Sequence, residues 1–117
     1  MAKKILIIDD DHNIVQYLED IFKDNGYETC IAKDGLEASE VFNQEKPDLI
    51  TLDLEMPEEW GPKFYRKLTK NAEYADIPVV VISGLPASKY AIKRAVASLD
   101  KPFNKEELLK IVKDAVG

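Results

Sequence analysis

The feature that most restricts what this chain can become is an alternation. Short apolar runs rich in β-branched residues take turns with longer stretches whose apolar positions recur at helical spacing. Residues 3–9, KKILIID, carry no helical period and end at a row of acids, the pattern of a strand buried on both faces. Over residues 13–25 the apolar side chains fall at Ile14, Val15, Leu18, Ile21 and Phe22, one face of a helix that Gly26 stops. A second strand is predicted over 27–31, followed by a helix that carries Leu36, Val41 and Phe42 and opens at the Asp34/Glu37 pair, spaced as a capping box. The pattern repeats with a strand over 48–53 and a helix opening at Pro62, a residue suited to a first turn. Residues 77–82, IPVVVI, are the most apolar and β-branched run and belong at the sheet centre. A short helix over 87–94, a brief strand over 96–99 and a last helix bearing Leu108, Leu109, Ile111 and Val112 complete the chain, the last opened by Asn104 with Glu107. Five strands alternating with five helices predict an α/β fold, a parallel sheet covered by helices on both faces, because right-handed crossovers need helices to make them.

At 117 residues the chain has room for one core, so residues 1–117 are read as one domain whose output passes through a partner. A net charge of −6 argues against direct nucleic-acid binding, which requires a clustered basic face. The single cysteine, Cys30, forms no internal disulfide, and its apolar neighbours point to a core position. The first residues lead directly into a strand-like run, and no run reaches membrane-spanning length, so no membrane insertion and a cytoplasmic location are expected. Met1 and a last helix that reaches its end favour a stand-alone protein.

In open parallel sheets ligands bind beyond the carboxyl ends of the strands, where strand order reverses. Four predicted strands end there in polar residues: Asp9, Asp10 and Asp11 after the first, Asp53 in the third, Ser83 in the fourth, and Asp100 with Lys101 in the fifth. One acid at a strand end is ordinarily a turn residue or a helix cap; their convergence on one edge is what asks for a chemical reading. Carboxylates gathered in a crevice must take up protons or hold a cation, and an all-oxygen set suits Mg²⁺. Zinc has no ligand set here, and the only histidine, His12, sits at a helix start where solvation or capping is expected. A carboxylate can attack phosphorus to give an aspartyl phosphate, with Lys101 as a point charge and the Ser83 hydroxyl as a hydrogen-bond donor to the transferred group. Spacing does not rank the three consecutive acids.

The strings KILIIDDD, LDLEMPEEWG, ISG and DKPF occur in that order on the elements just assigned. With them the chain resembles, along essentially its whole length, the receiver domains of bacterial response regulators, the CheY-like family of two-component signalling. The resemblance implies a flavodoxin/CheY-like sheet of strand order 2-1-3-4-5, with Asp53 as phosphoacceptor. It implies Asp10 as direct ligand of Mg²⁺, Asp9 as a ligand mainly through water, and the backbone carbonyl of Glu55 completing the metal site. It further implies that Ser83 and Lys101 contact the phosphoryl oxygens and that the Lys101–Pro102 peptide is cis. A phosphohistidine on a histidine kinase or a histidine phosphotransfer protein would be the donor, and an unidentified downstream protein the target. The domain would promote its own phosphorylation and dephosphorylation without being an enzyme toward other substrates.

Three positions depart from the family pattern. Ser98 stands where many members carry Tyr or Phe, Arg94 where a Gly commonly precedes Ala, and the stretch from Ser83 to Lys101 is shorter by about one helical turn. Without a ring at position 98, the response to phosphorylation is expected to centre on the loop and short helix from Ser83, with Tyr90 as the available aromatic. Two rivals use similar parts. A phosphatase of the haloacid-dehalogenase type needs a second Asp where Glu55 stands, and the chain has no room for a substrate cap. A receiver-fold binding module without the chemistry would have no need of the acids, Ser83 and Lys101 together. An FMN carrier is disfavoured because three aspartates after the first strand would repel its phosphate.

Overall fold

The computed structural model of the chain describes residues 3–53, 77–83, 97–100 and 104–116, by their backbone alone at 35, 36, 53, 83 and 97–100. Five strands, β1 (Lys4–Ile8), β2 (Glu28–Ala32), β3 (Leu49–Asp53), β4 (Val79–Ser83) and β5 (Ala97–Asp100), form one sheet of order β2-β1-β3-β4-β5. Every neighbouring pair is parallel. Three helices are described, α1 (His12–Asp24), α2 (Gly35–Glu45) and α3 (Lys105–Val116). The helices predicted to open at Pro62 and to span 87–94 lie outside the described residues, as does Tyr90.

Strand alternation divides the core in two. Leu6, Ile8, Ile50, Leu52, Val79 and Val81 pack with Ala38 and Phe42 of α2. On the other face Ile5, Ile7, Leu49, Val80 and Ile82 pack with Val15, Leu18, Ile21 and Phe22 of α1 and with Leu108 and Val112 of α3. β1, β3 and β4 are therefore buried on both sides, which is why they read as continuous apolar runs. Cys30, on the edge strand β2, is only partly buried and packs against the α2 face; that burial still pushes its thiol up to about 11.

The helix ends follow the predicted chemistry. Asp34 accepts the Glu37 N–H at 2.8 Å, and Asn104 accepts the Glu107 N–H at 3.0 Å. Gly26, at φ 86°, stops α1 with the Tyr27 N–H on the Phe22 carbonyl (3.0 Å) and the Gly26 N–H on the Lys23 carbonyl (3.2 Å). This is the Schellman arrangement, and its hydrophobic contact is the edge-to-face pair of Phe22 and Tyr27, with centroids 6.2 Å apart. Lys46 ends α2 in the left-handed region at φ 48°.

Strand limits differ from the sequence reading by one or two residues, for local reasons. The Tyr27 N–H belongs to the helix stop, so the β2 ladder begins at Glu28, which donates to the Lys3 carbonyl (2.9 Å). Pro78 has no N–H to give, although its carbonyl accepts from Ile50 at 3.0 Å, and β4 begins after it. At the amino edge of the sheet the Lys4 N–H donates to the Asp48 carboxylate (2.9 Å), and its ammonium meets Glu45 (3.0 Å), which holds that ammonium above its ordinary pKa. Those contacts lie at the end of the sheet opposite the predicted site.

One interior group breaks the polar accounting. Thr51 is 1% exposed, and its hydroxyl has no hydrogen-bond partner. An orphaned buried hydroxyl keeps its desolvation cost, so the near-isosteric Thr51→Val is expected to stabilise the fold by about 1 kcal/mol. The denaturation midpoint should rise with the slope unchanged. A lower midpoint would mean that the hydroxyl is satisfied by water.

Candidate functional site

Strand order reverses at β1, whose neighbours are β2 on one side and β3 on the other. The crevice that an open parallel sheet offers to ligands therefore lies beyond the carboxyl ends of β1 and β3. Register decides which residues reach it. Ile8 pairs with Leu52, so Asp9 and Asp53 are the next positions on two adjacent strands, whose backbones run about 5 Å apart. Asp53 in turn pairs with Ile82, and Ser83 with Asp100, which brings the ends of β4 and β5 to the same edge. Ser98 sits within β5 opposite Val81. Lys101, Glu55 and the Lys101–Pro102 peptide lie outside the described residues.

The three consecutive acids, alike in sequence, occupy three different environments. Asp9 is 3% exposed. Its backbone N–H donates to the Ala32 carbonyl (3.2 Å), a last rung to β2, and its carboxylate accepts the Asp11 N–H at 2.9 Å. Asp10 is exposed. Asp11 is the N-cap of α1, with extended backbone (φ −86°, ψ 108°) and a carboxylate oxygen that accepts the N–H groups of Asn13 (2.9 Å) and Ile14 (3.4 Å). Its carbonyl accepts the Val15 N–H at 3.0 Å, the first helical bond. His12 is exposed and is the first residue of the helix, so the capping role that was open to it belongs to Asp11.

That division is what the sequence left unresolved, and one local signal could have revealed part of it. An Asp immediately before the first apolar-periodic residues is an N-cap signature, and Asp11 precedes Ile14 and Val15 in that way. The burial of Asp9, 3% exposed, had no comparable local signal.

Chemically, this edge offers hard oxygen donors, a buried carboxylate at Asp9 and an exposed one at Asp10, with position 53 at the adjoining strand end. Burying a carboxylate is costly unless charge or hydrogen bonds compensate it. The donor set fits a small divalent cation such as Mg²⁺, and one carboxylate oxygen of Asp11 is engaged with the first turn of α1.

Comparisons with known proteins point to one family. The family model of the response regulator receiver domain matches residues 5–113. The chain is 33% identical over 117 residues to protein Rrf1 of Nitratidesulfovibrio vulgaris, covering all of this chain and 85% of that protein. It is 33% identical to response regulator MprA of Mycobacterium ulcerans, where 93% of this chain spans 48% of the longer protein. Among solved structures, the CheY-like response regulator receiver domain protein of Methanospirillum hungatei superposes with a TM-score of 0.89 at 27% identity, covering 99% of this chain and 94% of that one.

Proposed function

The chain belongs to the response regulator receiver domain family, and from that premise we propose that Asp53 accepts a phosphoryl group at the carboxyl edge of the sheet. As a receiver domain it is a signalling domain of a two-component system. The observation that carries the proposal is the register that sets Asp9, a buried carboxylate, beside Asp53 across the point where strand order reverses.

In the proposed reaction a carboxylate oxygen of Asp53 attacks phosphorus. The bond from phosphorus to the donor breaks, and its electron pair leaves with the donor atom, an imidazole nitrogen when the donor is a phosphohistidine. The product is an acyl phosphate, and the histidine donor belongs to a kinase or a histidine phosphotransfer protein. Asp10 is assigned as direct ligand, Asp9 as a ligand mainly through water, and the Glu55 carbonyl as the third contribution to the metal site. Mg²⁺ bound there would supply positive charge for the oxygens of the transferred group. Ser83 is assigned a hydrogen bond to those oxygens and Lys101 a fixed positive charge, held by a cis Lys101–Pro102 peptide.

On this reading the domain 1–117 catalyses its own phosphorylation and later hydrolysis, works in the cytoplasm, and passes the signal to a downstream protein. No helix among the described residues is long and apolar enough to cross a membrane. The test is incubation of the wild-type chain with acetyl phosphate, with and without Mg²⁺, followed by intact mass measurement. Addition of one phosphoryl group, dependent on the metal and labile to hydroxylamine, is the expected result. No incorporation, or an adduct stable to hydroxylamine, would overturn the reading.

A further inference from the structure

We infer that Asp11 is a positioning residue for the cation site, fixing by hydrogen bonds the segment that carries Asp9 and Asp10 while binding no metal itself. The inference rests on the function proposed above and adds to it a role for the third acid.

The segment between β1 and α1 is held by a relay. Asp9 is fixed to β2 by its N–H on the Ala32 carbonyl (3.2 Å) and receives the Asp11 N–H on its carboxylate (2.9 Å). Asp11 passes the constraint on, receiving the Asn13 N–H at 2.9 Å and the Ile14 N–H at 3.4 Å on one oxygen of its own side chain. Two successive bonds, each spanning two residues, thus tie the last rung of the sheet to the first turn of α1. That helix cannot shift freely, because Val15, Leu18, Ile21 and Phe22 are packed into the core against Ile5 and Ile7. Asp10 is the residue enclosed by the relay, exposed but flanked on both sides by pinned neighbours.

A cation binds well when its ligands are already aimed, and partners that orient ligands are worth about 10–100-fold in metal affinity. One oxygen of the Asp11 carboxylate accepts two helix N–H groups, and on that geometry the residue is assigned to orientation. Without its cap the first turn of α1 loses a side-chain acceptor, the Asp11 N–H is no longer held toward Asp9, and Asp10 gains freedom it must lose again on binding.

The test compares two variants that remove the same charge. Asp11→Asn keeps a side-chain oxygen able to cap a helix, and Asp11→Ala does not. Mg²⁺ affinity is measured by titration calorimetry at physiological ionic strength, beside thermal melting without metal. A third variant, Asp34→Ala, removes the equivalent cap of α2, which accepts the Glu37 N–H at 2.8 Å away from the crevice. Asp11→Ala is expected to bind Mg²⁺ about tenfold or more weakly than Asp11→Asn. Asp34→Ala should melt lower yet bind Mg²⁺ as the wild type does. Equal affinities in the two Asp11 variants would overturn the inference: if both match the wild type the residue only caps a helix, and if both are equally weak its charge or direct ligation is what counts. A wild-type chain that binds no Mg²⁺ would overturn the proposed function itself, and this inference with it.

Discussion

Asp53→Asn is expected to take up no phosphoryl group from acetyl phosphate while remaining folded. The substitution replaces one carboxylate oxygen by an amide nitrogen of nearly the same size, so register and packing have no reason to change. What disappears is the nucleophile, since an amide oxygen carries no full negative charge to direct at phosphorus. Of the other carboxylates at this edge, Asp10 is assigned to the metal. Asp11 is engaged with the helix, and Asp9 is buried beneath the edge, 3% exposed, with its carboxylate holding the Asp11 N–H. Thr51 is on the same strand but buried within the sheet, 1% exposed, and an alcohol there is neither reachable nor activated. Intact mass should therefore show complete loss of the added phosphoryl group. Melting in metal-free buffer should be equal to or higher than that of the wild type, because one of several crowded negative charges is gone. Uptake at wild-type level in this variant would sink the assignment of the phosphoacceptor.

How far the fold and site could be read from sequence depends on where the deciding interaction lies. The strands were legible because β1, β3 and β4 are buried on both faces, which forces continuous apolar runs. The caps at Asp34 and Asn104 were legible because the partner N–H lies three residues on. The convergence of strand ends followed from parallel pairing together with the switch-point rule, and the register of Ile8 with Leu52 and of Asp53 with Ile82 realises it. The separate environments of Asp9 and Asp10 were not legible from spacing, since identical neighbouring side chains are told apart only by what folds around them. Nor was the left-handed end of α2 at Lys46, where the residue type gives no warning. The hydroxyl of Thr51 was likewise hidden, because a threonine in a β-branched run reads as strand whether or not its oxygen finds a partner. The assignments of Glu55, Lys101 and the Lys101–Pro102 peptide continue to rest on family resemblance.

Mg²⁺ is expected to raise the stability of the wild-type chain by about 2.7 kcal/mol at a concentration one hundred times its dissociation constant, by mass action on the folded state alone. For a domain of this size that corresponds to a rise of about 10 °C in melting temperature. The physical basis is that the unfolded chain separates Asp53 from the adjacent pair Asp9 and Asp10, whereas folding sets the Asp53 position beside them at one edge, so the assigned ligands come together only in the folded protein. A net charge of −6 means that any salt will relieve some general repulsion, and a bare increase on adding MgCl₂ does not by itself report a site. Two features separate the cases. A site gives a gain that grows by about 1.4 kcal/mol per tenfold of Mg²⁺ once the dissociation constant is exceeded, and one that survives when ionic strength is held constant with NaCl. General screening disappears in the matched series. Asp10→Asn, which removes the assigned direct ligand from an exposed position, should lose most of the gain while melting normally without metal. A melting temperature indifferent to Mg²⁺ at constant ionic strength, in protein free of other divalent ions, would show that these carboxylates do not form a cation site.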